Sequence, residues 1–112
     1  DAMIRQQEIA IAQSYLEEIL LQPVVAPAGA PAPTGRGSFD DVDQYAGLVD
    51  VGAHDQFGNP IPGLSAYTVS VAVNPTSALS GIASTDARRI DVTVSNPAVA
   101  GAVLLTGYRT NF

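Results

Sequence analysis

Three aspartates fall within four residues in Asp40-Asp41-Val42-Asp43, and clustered carboxylates are the hard oxygen ligands that Ca²⁺ takes. The spacing is not that of an EF-hand loop, which wants Asp or Asn at successive alternate positions, a glycine and a distant glutamate. Helix capping and solvation account for the same residues, so no cofactor is expected and Ca²⁺ is the alternative. His54 is the only histidine and precedes Asp55. A Ser-His-Asp set needs a presented nucleophile and an oxyanion hole, and no serine here sits in such a glycine-framed turn. One histidine without cysteine also falls short of a zinc site. Gly35-Arg36-Gly37 lacks the frame of a phosphate-binding loop. Tyr45, Tyr67, Tyr108 and Phe112 are the aromatics a sugar site would use, although their positions suit core or edge packing equally. No catalytic, cofactor or metal residue is assigned, and the chain is read as non-enzymatic.

Composition narrows the partners. The 112 residues suffice for one domain with a modest core. The net charge is −6 and all five basic residues are arginine. An acidic chain without a basic cluster is a poor match for nucleic acid or anionic headgroups. No run of about 20 apolar residues is present to span a bilayer, and no signal-peptide pattern is seen.

The element that must position everything else is the opening stretch, Asp1 to Leu21, which has neither glycine nor proline. On a helical wheel Ala12, Leu16 and Ile19 centre an apolar arc. Ile9 and Leu20 lie on one flank, and Ile4, Ile11 and Tyr15 on the other. The arc covers about half the circumference, wider than the roughly 100° stripe that meets a single core. Either the helix is sunk deep in its own domain, or it packs on a sheet around Ala12, Leu16 and Ile19 and meets other chains along the rest of the arc. Pro23 ends it. Glu17 and Glu18 lie in the last turn, where the helix dipole disfavours negative charge, so a cation from outside the helix, an arginine, is expected to compensate them.

The chain divides into a helix at 1–22, a connecting region at 23–64 and a sheet region at 65–112, all within one domain. Alternating proline and small residues from Pro23 to Gly37 predict an extended loop over the surface. Ser38 with Asp41, or Asp40, caps a short helix whose Phe39, Val42 and Tyr45 face the core. Leu48 to Val51 forms a short strand. Ser65 to Asn74, Arg88 to Ser95 and Gly101 to Arg109 alternate as strands. Tyr67, Val69, Val71, Val73, Ile90, Val92 and Val94 point inward. In the last strand both faces carry apolar residues, which predicts cover on both sides. A helix followed by strands in sequence gives an α+β fold, an N-terminal helix packed on a roughly four-stranded antiparallel meander.

Taken together, the helix with AQSYLEEIL, the proline-rich connection, SFDDVDQYAGL, the Gly-Asn-Pro turn, YTVSVAV, RRIDVTV and the closing GYRTNF resemble a type IV pilin-like protein without its membrane segment. FDDVDQY and YRTNF are most similar to MSHA-type minor pilins (MshD-like). The resemblance covers nearly the whole chain. It implies a pilin-like fold and a structural subunit, a minor pilin that acts through protein–protein contacts in filament assembly or at the tip. A minor pseudopilin of a type II secretion system is the alternative, and a glycan- or surface-binding adhesin head a further one. The implied partners are other pilins and the assembly machinery. Membrane contact would come only through an N-terminal segment, methylated in such proteins, that these residues do not include. The implied location is the inner membrane before assembly, then a periplasmic or extracellular filament of a Gram-negative bacterium. Many pilins close the C-terminal region with a disulfide, and this chain has no cysteine. Helices would gather centrally through Ile4, Ile9 and Ile11 while the heads meet through polar sheet edges.

Overall fold

The computed structural model describes residues 2–26, 28–30 and 32–111. Ala2–Leu20 forms α1, as a stretch free of breakers and rich in unbranched side chains should. The strands are β1 (Val49–Val51), β2 (Thr68–Pro75), β3 (Ala87–Ser95) and β4 (Ala102–Thr110). They form one antiparallel sheet in the order β1-β2-β3-β4. Consecutive strands are neighbours, so the sheet is a meander with α1 on one face. This is the α+β arrangement expected from the order of elements. The sheet takes its first strand from the connecting region, ahead of residue 65.

α1 lies over β3 and β4. Near its start Arg5 donates to the Ala100 carbonyl before β4, and beyond its end the Gln22 carbonyl accepts from Arg109 late in β4. The helix therefore runs alongside β4 in the same direction. Midway, Gly107 lets it come close: a Cβ there would lie 3.0 Å from Leu16 Cδ1. The rest of the inner face is closed by the short 3-10 turn Val42–Tyr45, which touches β2, and by Ala53, Ile61 and Leu64 of the β1–β2 connection. The core joins Ala12, Tyr15 and Ile19 to Val69, Val71, Ile90, Val92 and Val94, with Leu16 partly buried against it.

Two local expectations are corrected. Asp41 alone caps the Val42–Tyr45 turn, its carboxylate accepting from the Gln44 N–H, while Ser38 Oγ accepts from Thr34 and Gly35 N–H one turn earlier. Proximity to these unpaired N–H groups, rather than the three-residue spacing, decides which side chain serves. β4 is covered on one face only. Val103 and Leu105 pack on the core, whereas Leu104 and Tyr108 remain exposed. A single helix layer has nothing to place on the other side.

Candidate interaction site

Arg36 organises the densest polar cluster. The proline-rich segment folds back so that Arg36, in the 3-10 turn Arg36–Ser38, is buried against the end of α1. Its Nε and Nη2 donate to the two Glu18 carboxylate oxygens at 3.1 and 2.6 Å. Nη1 donates to Asp50 at 3.0 Å and to the His54 carbonyl at 3.1 Å. The guanidinium carbon stands 4.3 Å from the centre of the Tyr15 ring. Tyr15 OH donates to Asp50 at 2.6 Å and accepts from the His54 N–H, and Tyr45 OH donates to Glu18 at 2.8 Å. Burial, reinforced by Asp50, pushes the Tyr15 hydroxyl up to about 12, and burial with Glu18 does the same for Tyr45. Burial alone would lower the Arg36 pKa, but the bonds to Glu18 and Tyr15 outweigh it and the guanidinium is held firmly protonated. The arginine expected to compensate the acidic end of the helix is thus Arg36, acting on Glu18; Glu17 stays exposed at the mouth of the adjoining cleft. That cleft, 360 Å³, lies between the end of α1 and His54, Asp55 and Gln56.

The candidate chemical residues are not brought together. Asp40 accepts from the Gln44 side chain, Asp41 accepts from the Gln44 N–H and Asp43 pairs with Arg88 at 2.8 Å, so each carboxylate is already engaged by a donor of the domain. Among the described residues no group of three metal-ligating side chains converges. His54 Nδ1 lies 2.6 Å from the Gly52 carbonyl, and no described serine hydroxyl bonds to its ring. Asp55 instead accepts from the Asn59 and Phe57 N–H groups, and the Asn59 bond is the main reason its carboxyl titrates below the usual range. Tyr45 and Tyr67 are buried, Tyr67 bonding to Gln7, while Tyr108 lies on the opposite face of the sheet. Phe112 lies outside the described residues.

The helix arc is largely used within the domain. Ala12 and Ile19 are fully buried. Ile11, expected to face other chains, is only 6% exposed and belongs to the domain's own core, a correction that follows from the β1–β2 connection wrapping Ile61 and Leu64 up against the helix. Ile4 packs partly against the same core, and Ile9 remains outside at 38% exposed. Sequence reasoning passed over Glu8. It is completely buried on the sheet-facing side, with Oε1 2.9 Å from Arg5 Nη1 but neither oxygen in a well-formed hydrogen bond among the described residues. The signal was available, because on the wheel Glu8 falls between Tyr15 and Ile19.

Comparison of the chain with protein-family models, with curated proteins and with solved structures gives no match.

Proposed function

We propose that this chain is a non-enzymatic structural subunit of a type IV pilus-like filament, a minor pilin whose work is contact with other subunits. The observation that carries the reading is apolar surface left on the helix after the domain core is complete. Ile9 is 38% exposed and Leu21, just past the helix end, 83% exposed. A helix lying on one face of an antiparallel meander, with its outer side free, can pack against neighbouring helices while the sheet stays outermost. Before assembly the subunit would be held in the inner membrane by residues upstream of Asp1.

The test uses the full-length protein in its own cells, with a photo-crosslinking residue at position 9 and, separately, Ile9→Asp. Capture of pilin-like subunits is expected from position 9. Ile9→Asp should cost the domain about 1–2 kcal/mol, since part of the side chain is covered, and leave it folded yet abolish incorporation. Capture of secretion-system subunits instead would make the protein a minor pseudopilin. Unimpaired function with Ile9→Asp and no filament subunit captured would refute the reading. An encoded leader glycine followed by about 20 apolar residues upstream of Asp1 is expected as well.

A further inference from the structure

The outer face of the sheet is polar in the middle and apolar at both edges. Its central strands present Thr68, Ser70, Arg89, Asp91 and Thr93, whereas β1 presents Val49 and Val51, 59% and 79% exposed, and β4 presents Leu104 and Tyr108, 58% and 45% exposed. This departs from the polar edges that the pilin resemblance implies, and water alone gives no reason for it. The same residues carry the unpaired backbone. The Asn111 N–H donates to the Asp86 carbonyl, which continues the β3–β4 register by one pair. Alternate residues of an antiparallel strand face its partner, so Val103, Leu105, Gly107 and Arg109 bond toward β3. Ala102, Leu104, Thr106 and Tyr108 turn their N–H and C=O groups outward. Likewise Gly52 N–H donates to the Tyr67 carbonyl, which sets Asp50 toward β2 and turns Val49 and Val51 outward. Among the described residues no backbone–backbone hydrogen bond reaches either outer edge, and only the Thr110 carbonyl at the end of β4 has a side-chain donor, Arg109 Nη1. Edge strands are ordinarily blunted by proline, lysine, a bulge or a covering segment. The nine residues of β4 contain neither proline nor lysine and pair with β3 without interruption.

We infer that these edges join copies of this chain head to tail, β4 of one against β1 of the next. The strands alternate in direction, so β1 and β4 of one molecule are antiparallel. A second copy in the same orientation therefore presents β1 antiparallel to β4, and the sheet continues across the junction with both helices on the same face and parallel. Setting Val51 of the next copy opposite Leu104 sets its Val49 opposite Thr106 and leaves Tyr108 diagonal to that valine. The exposed apolar side chains then cover one another, and the backbone groups gain partners by strand addition. Such a contact is heterologous and propagates. It goes beyond the filament-subunit reading without depending on it, because it arises from the sheet alone.

The natural chain has no cysteine, so single cysteines report contact directly. Mixed Val51→Cys and Leu104→Cys proteins should form a disulfide-linked heterodimer on the order of tenfold faster than either alone, since the junction raises their effective concentration. Sedimentation of the natural chain should show concentration-dependent association, lost in Leu104→Pro and in Leu104→Lys. The Leu104 N–H points away from β3, so proline there keeps the β3–β4 ladder and the fold. Faster linkage of Leu104→Cys with Tyr108→Cys would show two β4 edges meeting and overturn the head-to-tail contact. Absence of both association and preferential cross-linking would overturn edge pairing altogether. Neither result touches the capture experiment at Ile9.

Discussion

Replacing Arg36 with Met removes the one cation shared by Glu18 and Asp50 while keeping most of the side-chain volume. The Glu18 and Asp50 side chains are only 11% and 13% exposed, so water cannot readily take over from the guanidinium. Removing one partner of a buried ion pair costs about 3–5 kcal/mol, because the remaining charge is left buried and uncompensated. Tyr45 still donates to Glu18 and Tyr15 to Asp50, which places the expected loss near about 3 kcal/mol at the lower end of that range. Against a total stability of about 5–15 kcal/mol this is a large fraction, and it should lower the melting temperature by about 12 °C in a chain of this size. Urea unfolding of the natural and Arg36→Met chains measures it. Adding Glu18→Gln and Asp50→Asn to Arg36→Met removes the stranded charges and should return much of the loss. A loss below about 1 kcal/mol, the range of a solvent-exposed ion pair, would refute the picture of a desolvated hub. So would a triple variant no more stable than Arg36→Met.

Gly107→Ala should destabilise by about 1 kcal/mol, as mild overpacking does, since its Cβ would meet Leu16 Cδ1 at 3.0 Å and Cδ2 at 3.2 Å. In a double-mutant cycle Leu16→Ala should abolish that penalty, and additive losses would argue against the close approach. Glu8→Met should stabilise the domain by about 1 kcal/mol, because a buried, poorly satisfied carboxylate is replaced by an apolar chain of similar size; thermal melts decide, and a loss would show that the Arg5–Glu8 pair outweighs its burial. Tyr15 and Tyr45 are raised to about 12 in the folded chain, above the ordinary value of 10.0. The folded state therefore holds these protons longer, the stability they contribute is complete below the unfolded value, and it is lost as pH rises through the folded one. Alkaline unfolding followed by phenolate absorbance should show two tyrosines ionising together with loss of the fold, and independent ionisation without unfolding would contradict it.

The architecture was legible in the chain because its signals are local. A breaker-free stretch, a proline after it and three alternating runs separated by Pro75 and Asn96-Pro97 suffice to give a helix followed by antiparallel strands. The inward set Tyr67, Val69, Val71, Val73, Ile90, Val92 and Val94 follows from period-two alternation alone; all are buried except Val73, which is partly buried at the edge of the core. The fates of Ile11 and β4 were not legible, because each depends on what other segments do. Ile11 is buried because a connection fifty residues downstream wraps onto the helix. β4 is half exposed because it ends a sheet whose helix covers one face only. Apolarity in the sequence says that a side chain seeks cover and is silent on which segment provides it.

The amino-acid sequence by itself determined the type and order of the elements, the absence of disulfide chemistry and the need for an arginine near Glu17 and Glu18, because these follow from spacing, residue type and charge within short windows. Only the tertiary structure decided which arginine answers, which carboxylate is stranded among apolar neighbours and which strands stand at the edges. Those are properties of distances between residues far apart in the chain. Arg36 reaches Glu18 across the fold-back of the proline-rich segment, and Val51 and Leu104 become the two rims of one sheet only when its four strands have paired.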